Sequence, residues 1–170
     1  MSRRFQFSLR TLLIVILIAG ISLGIHGSRS MRKRQATATI ERLGGSIEYD
    51  YKWKGYGTSR QWYDYRAEPP GPVWLRRALG ENYFAEPVEI QLFADPKMHP
   101  EQFGDREAAQ IAVCSELQWL VLMDTSITDA GLRHLRALTK LSRLDLEGTR
   151  VTEAGVAELQ RALPQCKVFH

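Results

Sequence analysis

The sequence predicts an α/β fold: a short solenoid of about five strand–helix rungs, with a parallel sheet on one face and helices on the other, after an N-terminal transmembrane helix. Three observations predict it. A 24-residue unit is repeated near the C-terminal end, where "LQWLVLMDTSITDAGLRHLRALTK" from Leu117 aligns with "LSRLDLEGTRVTEAGVAELQRALP" from Leu141 at eight identical positions. A strand-like phrase, "PVEIQLF" over 87–93, continues the same leucine spacing upstream. An uninterrupted apolar run, Leu12 to Ile25, precedes both. A period of this length fits one strand plus one helix that must stack on neighbours to bury its apolar face.

Residues 1–10 form a basic tail with Arg3, Arg4 and Arg10. Residues 11–28 then read as a signal-anchor helix crossing the lipid bilayer, with Leu12, Leu13, Ile14, Val15, Ile16, Leu17, Ile18, Ile21, Leu23 and Ile25 as its membrane-facing residues. As a helix the segment spans roughly 27 Å at about 1.5 Å per residue, close to the hydrocarbon thickness of about 30 Å. The apolar part is also near the length of a secretory h-region, so a secreted protein cleaved near Ser22-Leu23-Gly24 is the alternative. No Ala-x-Ala site is present, and Arg29, Arg32, Lys33 and Arg34 follow directly, both of which favour the uncleaved anchor. Positive charge is nearly balanced across the span; the orientation adopted leaves the tail in the cytoplasm and the repeat domain outside it.

Residues 29–45 read as a basic juxtamembrane segment, touching lipid headgroups, and a capping helix from about Ser30 to Leu43. Of the 23 Lys and Arg side chains, seven lie within residues 1–34, where no acidic residue occurs. That leaves 16 basic against 19 acidic in the body, a net of −3, so the body has no electrostatic footprint for nucleic acid.

Residues 46–116 read as irregular N-terminal rungs with an aromatic hairpin insert. "SIEYDYKW" alternates Ile47, Tyr49, Tyr51 and Trp53, which predicts a first strand with those side chains facing the core. "KGYGTS" predicts a turn and "RQWYDY" a returning strand. "GPVWLRRALG" predicts a helix with Pro72 at its start and Gly80 at its C-cap. In "PVEIQLF", Val88, Ile90 and Leu92 share one face. A loop with Pro96 and Pro100 follows, then the helix phrase "DREAAQIAVCSEL".

Residues 117–170 hold the two regular repeats and a cap strand, "CKVFH". Leu120 and Leu122, like Leu144 and Leu146, stand two apart and face one side of a strand. Thr125 and Thr149 follow at turns, where a short hydroxyl side chain bonds free backbone groups. Thr128 and Thr152 are predicted helix N-caps, with Asp129 and Glu153 in the first turn. Leu132, Leu135 and Leu138, then Val156, Leu159 and Leu163, make the inward helix faces, and Pro164 ends the last helix.

On these residues the chain resembles the leucine-rich-repeat family, with Thr125 and Thr149 where the commonest consensus has Asn. The phrase T-x-I/V-T-D/E-A-G-L/V is similar to a bacterial subclass. The basic tail and single span, Leu43-Gly44-Gly45, Tyr49-Asp50-Tyr51, Pro69 to Leu75, and Leu163 to Lys167 resemble its small membrane-anchored members. The resemblance implies a repeat solenoid and carries no activity with it.

No catalytic residue, cofactor or metal site is expected, and the chain reads as a non-enzyme. His26, His99, His134 and His170 are scattered, with no metal-ligand spacing, phosphate loop or nucleophile elbow. Cys114 and Cys166 stand two rungs apart, beyond the roughly 7 Å Cα separation that a disulfide bridges, so two buried reduced thiols are expected. The expected function is binding of an unidentified protein partner through the strand face. The candidate residues are Phe93, Trp119, Val121, Met123, Arg143, Asp145 and Glu147, with an apolar row at Trp119; the competing reading is that the 53–62 loop or the 94–104 loop folds over that row. The alternative is an extracytoplasmic glycan- or peptidoglycan-binding module that uses Tyr56 and Trp62 of the aromatic insert.

Overall fold

A computed structural model describes residues 9–54, 62–64, 66–80, 83–92 and 99–170. Its first element, α1 (Leu9–Arg42), is one unbroken helix of 34 residues. It runs through the boundary expected near residue 28, because no proline interrupts it and Gly27 and Ser28 are too few to break it. The C-terminal half buries Ser30, Lys33, Ala36, Thr37 and Ile40, and Leu43 is buried just past its end, a three-and-four spacing that lays one stripe against the domain. The N-terminal half leaves Leu13, Ile14, Ile16, Leu17, Ile18 and Ile21 exposed. The side chains of Leu12, Val15, Leu23 and Ile25 lie outside the described residues. Among the described residues no helix is long and apolar enough to cross a membrane.

Lys33 departs from the expected headgroup collar. It is buried, and its Nζ pairs with Glu86 at 2.6 Å. The charge is held inward because residue 33 falls on the packed stripe, where an unpaired ammonium would be costly.

Gly44, at φ 84°, turns the chain so that β1 (Ser46–Tyr49) starts almost directly after α1. A Cβ on Gly45 would stand 2.8 Å from the Gln91 carbonyl and from Ile40 Cγ2, so the approach of helix and sheet needs glycine there. β1 pairs antiparallel with β4 (Pro87–Leu92). From β4 the sheet continues in parallel through β5 (Trp119–Leu122), β6 (Arg143–Asp145) and β7 (Lys167–Phe169). The sheet thus departs from the all-parallel expectation at its first strand. The direction of β1 is set by the tight turn out of α1 rather than by a strand–helix–strand crossover.

The core is a ladder of matched positions: Ile47, Ile90, Leu120, Leu144 and Val168 are register partners across all five strands. Leu92, Leu122 and Leu146 are buried one layer on. The helix layer is α1, α3 (Asp105–Ile111), α4 (Asp129–Leu135) and α5 (Glu153–Ala162), each packed on the next. Leu132, Leu135, Leu138, Val156, Leu159 and Leu163 are buried as their spacing predicts. Both N-caps form: Thr128 Oγ1 accepts from the Ala130 N–H and Thr152 Oγ1 from the Gly155 N–H, each at 3.2 Å. Thr125 and Thr149 donate to the Leu122 and Leu146 carbonyls at 2.9 and 2.7 Å. The arrangement is compatible with a leucine-rich-repeat-like solenoid.

Within the insert, β2 (Trp53–Lys54) pairs antiparallel with β3 (Trp62–Tyr63), and the turn expected at "KGYGTS" lies outside the described residues beyond Lys54. The first strand ends sooner than its alternation predicts. A bulge follows Glu48, and Asp50–Lys52 form a turn of 3₁₀ helix. Parity is lost there, so Tyr51 and Trp53 do not join the core; Tyr51 stacks on buried Tyr49, ring centroids 6.1 Å apart. α2 (Val73–Leu79) has Pro72 as N-cap and Gly80, at φ 85°, as C-cap.

Candidate functional site

The strand face is built by the residues between the inward leucines. Sheet register lines up Glu48, Glu89, Trp119, Arg143 and Lys167 in one row, and Ser46, Gln91, Val121, Asp145 and Phe169 in the next. Adjacent rungs are about 4.8 Å apart, so each row is a continuous line of side chains. Its acidic end is Glu48 with Glu89, its centre is Trp119, and its basic end is Arg143 with Lys167.

Trp119 is 41% exposed, large for an indole at the middle of a sheet. Trp53, from the hairpin insert, packs edge-on against it with ring centroids 6.0 Å apart. Trp53, expected by alternation to face the core, therefore lies against the strand face instead. Val121 and Met123 are half-buried, while Arg143 and Glu147 are exposed and Asp145 is half-buried. Phe169 lies beneath two cations, with the Arg143 guanidinium 4.8 Å and the Lys167 ammonium 4.9 Å from the ring centroid.

Glu89 was not singled out by sequence, yet it is the buried charge of this face. Burial pushes its carboxyl above the usual range; a hydrogen bond from the Gln91 amide opposes this, the Glu48 carboxylate adds to it, and Arg143 opposes it. The signal was in the sequence only as a glutamate at an outward strand position, which reads as solvated.

Of the seven sequence-predicted partner residues, the sheet register places Trp119 with Arg143 in one row and Val121 with Asp145 in the next, whereas Met123 and Glu147 lie just past the ends of β5 and β6. Phe93 lies outside the described residues, as do Tyr56 and the side chain of Trp62. Among the described residues no cluster of three or more His, Cys, Asp or Glu could hold a metal ion. His134 is exposed on α4. Along its first row the face thus presents an exposed indole between two carboxylates and two cations.

No family model matches the chain, and no curated protein matches it. Among solved structures, a leucine-rich-repeat protein of Leptospira interrogans is similar over 36% of this chain and 16% of that one, with 22% identity and a TM-score of 0.32.

Proposed function

We propose that the chain is a non-catalytic, membrane-anchored repeat module that binds a protein partner through its strand face. The single observation that supports this most is the exposed indole of Trp119 at the centre of its row, between Glu89 and Arg143, with Val121 in the next row. An exposed Trp inside a mixed apolar and charged patch is the composition of an interface centre. The anchor is supported by the apolar run from Leu12 to Ile25 and by the exposure of Leu13, Ile14, Ile16, Leu17, Ile18 and Ile21 on a helix that leaves the domain. In this reading the short arginine tail stays cytoplasmic and the repeat domain lies across the membrane.

The test is crosslinking in native membranes with the full chain and its Trp119→Asp variant. Crosslinked partner should be recovered with the intact chain and lost with the variant, while the thermal midpoint stays within about 4 °C of the parent. Equal recovery from both removes the strand face as the binding site. Extraction of the chain by alkaline carbonate without detergent removes the anchor.

A further inference from the structure

We infer that the cleft between α1 and the end of α3 is a binding site for an anionic phospholipid, an inference that rests on the membrane anchor proposed above. Ile21, Gly24, Ser28, Arg29 and Arg32 of α1 face Ala112, Val113 and Ser115 across a cleft of about 780 Å³. Steps of three and four residues place the α1 members on one helical stripe. The apolar lining is Ile21 and Gly24 of α1 with Ala112 and Val113. The polar lining is Arg29, Arg32 and Ser115, with Ser28, whose hydroxyl donates to the Gly24 carbonyl at 2.8 Å. None of the described residues lining the cleft is acidic.

Each part of the cleft matches a part of one amphiphile. Arg29 donates to Ser115 Oγ at 2.6 Å, which fixes the guanidinium at the mouth and uses one of its five donors. The remaining donors, with Arg32, make a forked site for phosphate oxygens. Among the described residues nothing stands within 4 Å of the Cβ position at Gly24, so the space beside the helix there is open. From Ile21 to Arg32 the stripe is about 16 Å long at 1.5 Å per residue, whereas a headgroup layer is roughly 5–8 Å deep. The cleft therefore reaches from headgroup depth into acyl-chain depth. A soluble anion would use only the arginines, and the apolar lining of Ile21, Ala112 and Val113 singles out a lipid. Arg34 serves as the contrast, since it lines a separate, smaller cleft with Met31, Leu79 and Tyr83.

The test uses the full chain in phosphatidylcholine vesicles, with spin-labelled phosphatidylglycerol as the probe. Its association relative to spin-labelled phosphatidylcholine should be selective for the intact chain. Arg29→Gln with Arg32→Gln should weaken that selectivity about thirtyfold, taking about 1 kcal/mol for each arginine near anionic lipid. Arg34→Gln should leave it intact, and Val113→Asp should reduce it with both arginines present. Equal loss on Arg34→Gln would show a diffuse charge collar and overturn the cleft. So would displacement of the probe by inorganic phosphate, or no selectivity in a chain that still sediments with vesicles. A chain that sediments with no vesicle of either composition overturns the anchor, and the lipid cleft with it.

Discussion

The carboxylate of Asp129 accepts hydrogen bonds from the Thr152 N–H at 2.9 Å and from the Thr152 hydroxyl at 2.7 Å, one repeat further along the chain. Asp105 stands in the same relation to Thr128, accepting from its N–H and hydroxyl at 2.8 Å each, and also from the Gly131 N–H at 2.9 Å. Each threonine hydroxyl thus donates to the preceding rung while accepting from its own helix. The helix N-termini are tied to one another as a ladder, beyond the capping of each helix alone.

This ladder should make stability fall in acid. In Asp105 burial would raise the carboxyl, but the three hydrogen bonds from Thr128 and Gly131 outweigh it and hold the group below its usual range. Asp129 is held low by the N–H and hydroxyl of Thr152. A depressed folded pKa contributes stability that is fully present above the unfolded value of about 3.9 and is lost as pH falls through the folded values. Calorimetry from neutral pH downward should show the midpoint dropping below about pH 4, with a shallower drop for Asp105→Asn combined with Asp129→Asn. Thr128→Ala should lower stability by about 1 kcal/mol in urea titrations.

The same ladder explains the Ala-Gly pair in each repeat. A Cβ on Gly131 would stand 2.5 Å from Asp105 Oδ1 and 2.5 Å from Ile127 Cγ1, and on Gly155 it would collide with Asp129. Gly131→Ala gains about 1 kcal/mol of helix propensity but forces an overpacked contact of about 1–3 kcal/mol. Net destabilisation is expected, measured as a lower urea midpoint with an unchanged m-value. A stabilised variant would mean that the Asp105 contact is not made in solution.

Much of this was legible in the sequence, and the losses have identifiable causes. The inward leucines, both N-cap threonines and the turn threonines were readable because strand and helix periods fix which side chains share a face. The direction of β1 was not, since alternation reads the same in parallel and antiparallel strands; only the Gly44 turn decides it. Trp53 was misplaced because parity from Ile47 was carried across a 3₁₀ turn that resets it. The outward row at Trp119 is legible from strand parity, and an apolar outward row itself suggests a cover from the 53–62 or 94–104 loop; that Trp53 supplies a contact there, 66 positions away, is legible only in the fold.

The two cysteines should be inert in the folded chain. Both are buried and unpaired; burial pushes the Cys114 thiol up to about 12 and the Cys166 thiol up to about 11. The thiolate is the reactive form, so iodoacetamide near pH 8 should leave native protein unmodified. Intact mass should then show two adducts after labelling in denaturant. Rapid native labelling of either residue would contradict its burial.

Glu89 carries the opposite pH signature to the aspartates. Its carboxyl is raised chiefly by burial, with the Gln91 hydrogen bond opposing and the neighbouring Glu48 adding. For an acid whose folded pKa lies above the unfolded one, stability is greatest at low pH and declines as pH rises through the interval between them. The folded state therefore carries a penalty at neutral pH that begins above the unfolded value of about 4.3. Glu89→Gln removes the ionisable group and keeps an acceptor for the Gln91 amide. The variant should melt higher than the parent at neutral pH, and the two should converge as pH is lowered towards 4. Because Glu89 adjoins Trp119 in the strand-face row, the same variant should leave crosslinked partner recovery unchanged if the apolar centre dominates binding. A parent and variant with equal midpoints across the whole range would show that Glu89 is ionised without penalty, and hence open to water.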